Sequence, residues 1–102
     1  MNIHDLINVR AALALLMRDD YELKITTTTA EIYTLMQWDQ PYAIMVRWDG
    51  DKKSARTIAR YQIRGVLLRI VYTDIITEIK IRCDVTRSVR VVYPYDRRYF
   101  YV

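Results

Sequence analysis

Cysteine occurs once in this chain, at Cys83, and histidine once, at His4. A single cysteine excludes an internal disulfide framework and any multi-cysteine metal site within one chain, and it fits a reducing compartment. His4 stands at the start of an expected helix with no serine or cysteine nucleophile near it in sequence. It supplies no triad and no histidine cluster for a metal, and reads as a surface or capping residue. Long apolar runs are also missing: the longest, residues 11–17, falls far short of the ~20 residues that span a bilayer. A basic lead with a small-residue cleavage site, as in a signal peptide, is absent as well. These absences predict a soluble, cytoplasmic protein with no membrane partner. No glycine-rich phosphate loop is present, which disfavours nucleotide hydrolysis, and no cofactor is expected. With only two glycines and two prolines, connections must be short and built from Asp, Thr, Ser and Arg.

What is present is globular. Hydrophobic residues make up 52% and charged residues 27% of the chain, a balance that supports a packed core. Its 102 residues match one domain of roughly 100–150 residues, so residues 1–102 are expected to fold as a single unit. Charge is unevenly divided: residues 1–51 carry four Lys/Arg against eight Asp/Glu, and residues 52–102 carry twelve against four. The second half should therefore present an electropositive surface suited to nucleic acid, RNA or DNA, or to an acidic protein surface.

The segment NIHDLINVRAALALLM places Ile3, Leu6, Ile7, Leu13, Ala14 and Met17 near one side of a 3.6-residue period, with Asn2 as a candidate N-cap. From Tyr21 the period becomes two, with Tyr21, Leu23, Ile25 and Thr27 on one side of a strand. The β-branched run Thr26, Thr27, Thr28 and Thr29 favours continued strand. Two more strands are expected over 31–37 and 42–48, parted at Pro41, and three consecutive strands imply an antiparallel meander. Asp49-Gly50 is a hairpin-turn signal.

The stretch 51–64 admits two readings. Lys52, Arg56, Arg60 and Arg64 recur every four residues opposite Ala55, Ile58, Ala59 and Gln62, which favours a basic amphipathic helix. A strand with Thr57, Ala59, Tyr61 and Ile63 on one side is the competitor. Strands are then expected over 66–72, over 75–85 with Ile75, Thr77, Ile79, Ile81, Cys83 and Val85 on one face, and over 89–93 with Val89, Val91 and Tyr93 aligned. Cys83 is thus expected in the core. The predicted class is α+β: an N-terminal helix packed on a mainly antiparallel sheet of about six or seven strands, with a second basic helix as the favoured reading of the middle.

Two constellations bear on function. Asp19-Asp20 and Asp49-Gly50-Asp51 bring carboxylates together but sit where turns are expected. The stripe Lys52, Lys53, Arg56, Arg60 and Arg64 can track phosphates along a nucleic-acid backbone, against the alternative of a solvated helix face. The tail RVVYPYDRRYFYV adds Arg97 and Arg98 as further cations, and Tyr95, Tyr99, Phe100 and Tyr101 as rings for base stacking or for a protein interface. Alternation over 97–102 matches a final edge strand, which could cover its own sheet, a second copy or a partner. Exposed aromatic edges favour pairing, so a homodimer is expected.

YQIRGVLLRIVY, ITEIKIRC and SVRVVY are similar to the three-strand core of RelE/ParE-type toxins, whose RelE branch cleaves messenger RNA on the ribosome. That resemblance implies phosphate-binding or proton-transfer roles for Arg64, Arg69, Arg82 and Tyr93. The chain departs from that family at its start, where a helix and three strands replace a strand and paired helices. MNIHDLI and DYELKI resemble the opening of a phage anti-CRISPR family that inhibits Cas9, which implies a phage or mobile-element lifestyle; that family is acidic, whereas the second half of this chain is basic. The leading expectation is a small non-catalytic protein that binds nucleic acid. The alternatives are a protein-interaction module, such as an inhibitor of a host defence protein, and a RelE-like ribonuclease.

Overall fold

The computed structural model describes residues 3–16, 21–36, 40–83 and 86–94. Along the chain run helix α1 (Ile3–Leu16), strands β1 (Tyr21–Thr27), β2 (Ala30–Met36), β3 (Tyr42–Asp49) and β4 (Lys52–Ala59), a short 3₁₀ turn (Arg60–Gln62), helix α2 (Ile63–Thr73), and strands β5 (Ile76–Cys83) and β6 (Val89–Tyr93). The six strands form one sheet in the order β4-β3-β2-β1-β5-β6, every neighbouring pair antiparallel. The expected α+β class, the antiparallel sheet and the meander are all present. No helix among the described residues is long and apolar enough to cross a membrane.

Both helices contribute to one core on one face of the sheet. Val9 and Leu13 of α1 and Ile63 and Leu67 of α2 are buried with Leu23, Ile25, Ile32, Ile79 and Ile81. The pleat sends alternate residues to opposite faces, so Glu22, Lys24, Tyr33, Ile44 and Val46 lie on the other face, where none is fully buried. One-sided cover of this kind is ordinary for antiparallel sheets.

Several local expectations are corrected. Residues 52–59 are a strand, β4, and the mid-chain helix begins only at Ile63. The Asp49-Gly50 turn explains why: Gly50 takes φ +63°, and Asp49 faces Lys52 directly across the hairpin, so the chain leaves the turn already paired. Residues 66–72, expected as strand, belong to α2, whose Ile63, Leu67, Ile70 and Val71 are buried at the helical spacing i, i+4, i+7, i+8. Short apolar runs rich in β-branched residues fit either period, and here the helical one prevails.

Among the described side chains of α1 the buried ones are Asp5, Val9, Ala12 and Leu13, whereas Ile3 and Ile7, expected inside, are 69% and 59% exposed. Ala14 is exposed as well. The helix has apolar residues on every side, so its period could not select the packed stripe. The threonine run holds the β1–β2 turn: Thr27 Oγ1 accepts from the backbone N–H groups of Thr29 (3.2 Å) and Ala30 (2.9 Å), a side-chain substitute for turn glycine.

In β5, which begins only at Ile76, Ile79 and Ile81 are buried while Thr77 is exposed, as is Ile75 before the strand. Cys83 shares their face but is only half-buried at the end of the strand, on the margin of the core. In β6 the register shifts opposite Ile79 and Lys80. The pairing of Ile81 with Arg90 and of Arg82 with Val89 puts Val92 on the core side, where it is buried, and leaves Val89 53% exposed on the open face, whereas the expected alignment puts Val89 and Val91 inside. Met17, Asp19-Asp20, Asn2 and the tail from Tyr95 to Val102 lie outside the described residues, as does the side chain of His4.

Candidate nucleic-acid interface

Strand β4 is an edge of the sheet, and its first six residues, from Lys52 to Thr57, are all exposed. Neither side of them is buried, which is why no apolar alternation marks this strand. Ile58 faces the core, so Ser54, Arg56 and Lys52 share the helix-covered side, while Lys53 points to the open side. There its ammonium sits 5.6 Å from the Trp48 ring centre, in range of a cation–π interaction. The expected five-residue stripe is thus divided: Lys52 and Arg56 on one side of β4, Lys53 on the other, Arg60 in the 3₁₀ turn and Arg64 in the first turn of α2. Arg60 is half-buried and its backbone N–H donates to the Pro41 carbonyl at 2.9 Å. Arg97, Arg98, Tyr95, Tyr99, Phe100 and Tyr101 lie outside the described residues.

Between β4 and α2 runs a groove of about 220 Å³ lined by Met45, Arg47, Ser54, Ala55, Arg56 and Ile70. Its floor is apolar and its rim cationic. Arg47 is already committed, its Nε 3.2 Å from Asp49 and its Nη1 3.6 Å from Asp74. Lys52, Arg56, Arg64 and Arg69 make no ion pair among the described residues. Between Lys52 and Thr73 the chain carries six cations and no carboxylate at all. These side chains keep their charge available to an outside anion, whereas neighbouring cations on the open face are neutralised: Lys24 by Glu31, Lys80 by Glu78 and Arg82 by Glu22. At Lys24 burial pulls the ammonium down, but Tyr33 and Glu31 outweigh it and hold the group above its ordinary range.

The exposed side of α2 adds what sequence reasoning missed. At 100° per residue, Gly65, Arg69 and Tyr72 lie opposite the buried stripe, and all three are exposed. Tyr61 is 84% and Tyr72 65% exposed. A helical reading of 61–72 exposes both rings; the strand reading hides them.

The residues singled out by the RelE-type resemblance do not converge. Arg64 and Arg69 are on α2, Arg82 bonds Glu22 on the uncovered face, and Tyr93 packs against the core. The first of the three strands in that resemblance is helix α2. Among the described residues no three His, Cys, Asp or Glu side chains are grouped to hold a metal ion. Compared with known protein families, characterised proteins and solved structures, the chain matches none.

Proposed function

We propose that the protein is a non-catalytic nucleic-acid-binding module of the cytoplasm, acting as a homodimer. The observation that carries this reading is the set of unneutralised cations, Lys52, Arg56, Arg64 and Arg69, on an exposed edge strand and the helix that follows it. Phosphates attract such charges by releasing counterions, and affinity then falls with salt by about 0.7 to 0.9 log units per neutralised phosphate per tenfold salt. Four neutralised phosphates give a slope near −3 for a single strand, by that rule about 0.7 for each. Fluorescence anisotropy with labelled oligonucleotides across a salt series measures this slope. Absence of binding at low salt, or a slope near zero, defeats the reading. Replacing Lys52, Arg56, Arg64 and Arg69 together with glutamate should abolish binding while the circular dichroism spectrum is retained.

Ile3 and Ile7, exposed on α1, favour a second reading: a phage or mobile-element protein-interaction module, such as an inhibitor of a host defence protein. A stoichiometric protein partner that survives nuclease and high salt would support it. The dimer is tested by light scattering, where a mass of one chain at micromolar concentration counts against it.

A further inference from the structure

On the nucleic-acid reading, the exposed side of the 3₁₀ turn and of α2 narrows the class of ligand. We infer that the bound species is single-stranded, its bases stacking on Tyr61 and Tyr72 while Arg64 and Arg69 hold its phosphates. Large aromatic side chains normally bury much of their surface. Here two rings from one short segment stand 84% and 65% exposed, and the arginines between them in sequence are exposed and form no ion pair among the described residues.

The spacing suits a strand rather than a point of attachment. Tyr61 in the 3₁₀ turn and Tyr72 near the end of α2 stand eleven positions apart, which at about 2.0 Å per residue in the turn and 1.5 Å in the helix is roughly 17 Å. A strand of a few nucleotides covers that distance, given a stacked rise of about 3.4 Å per base. Between the rings lies Gly65, where a Cβ would meet nothing within 4 Å, so a backbone can approach the helix without obstruction. The charge matches too: α2 has no acidic residue in its first turn, and the partial positive charge of its N-terminus adds to Arg64 in attracting phosphate.

A duplex cannot use this face fully. Its bases are covered by their neighbours and only its phosphates are within reach, whereas unpaired bases offer both faces to a ring. The tyrosines therefore discriminate, and the arginines alone do not.

The test compares a labelled single-stranded oligonucleotide with a hairpin duplex of equal charge, at matched salt, against the full chain. Tighter binding of the single strand is expected. Tyr61→Ala and Tyr72→Ala should each weaken single-strand binding by roughly 5- to 150-fold, the range for losing one base stack, with the salt slope unchanged. Phe at either position should restore most of the loss. Arg64→Gln or Arg69→Gln should instead flatten the slope by about 0.7 for each phosphate no longer neutralised. Duplex binding equal to or tighter than single-strand binding, or alanine variants that bind like wild type, overturns this inference and leaves the broader reading standing. No binding to either oligonucleotide defeats both. Both tyrosines are so exposed that their replacement should leave the fold intact, and circular dichroism checks this.

Discussion

Two threonines on the helix-covered face of the sheet meet opposite fates. Thr27 is buried and its hydroxyl is fully used, accepting from two backbone N–H groups and donating to the Ala30 carbonyl at 3.3 Å. Thr34 is 1% exposed, and its Oγ1 finds no hydrogen-bond partner among the described residues. Replacing one member of a satisfied buried set leaves the others unpaired, at a cost of about 1–3 kcal/mol. Thr27→Val should destabilise by that amount in urea unfolding, with Thr27→Ser recovering most of it. Thr34→Val removes a hydroxyl that gains nothing and keeps the shape, so it should stabilise by about 1 kcal/mol. For a domain of this size that raises Tm by roughly 4–8 °C in a thermal scan. A fall in Tm would show that the hydroxyl is satisfied after all.

At the scale of the element, α2 is built against its own interests. Arg64 stands in the first turn, where the helix dipole favours a carboxylate, and Gln62 at the N-cap makes no side-chain capping bond. Reversing the charge with Arg64→Glu should stabilise the chain by about 0.3–1 kcal/mol, read as a higher urea midpoint, while weakening oligonucleotide binding. Gly65→Ala should add roughly 0.5–1 kcal/mol, because Gly costs that much in a helix interior and the new methyl meets open space. A helix that improves when its exposed residues are changed is one whose surface answers to something other than folding.

Legibility in the sequence follows the same division between what packs and what does not. β1 is readable because Leu23, Ile25 and Thr27 are buried in strict alternation, and the Asp49-Gly50 turn is readable because a positive φ selects glycine. β4 is not, since six exposed residues leave no apolar period and its cations happen to recur every four residues. α2 escapes for the reverse reason, as Val, Ile and Leu on both sides of the segment fit a strand equally well. The cations of the candidate surface are visible as a group; the rings of Tyr61 and Tyr72 are not, because their exposure depends on the 3₁₀ turn at 60–62 and on the helical period of α2.

At the scale of the molecule, the sheet order places β1 between β2, its neighbour in sequence, and β5, about fifty residues on, with register from Thr26 to Glu78 and from Tyr21 to Cys83. β1 alone thus joins the part of the sheet made by short hairpins to the part that docks only after α2 has folded back. β4 and β6, by contrast, each leave one edge without a partner strand among the described residues. Amide hydrogen exchange should therefore be graded across the sheet. The amides of Leu23, Lys24 and Ile25 should exchange only when the whole chain opens, with an exchange free energy equal to the global unfolding free energy. Those from Lys53 to Thr57 should exchange far sooner, through openings that leave the rest of the sheet in place. A bound strand lying along β4 and α2 would slow this second group while leaving the first untouched, so the sheet carries its own internal gauge of where a ligand sits.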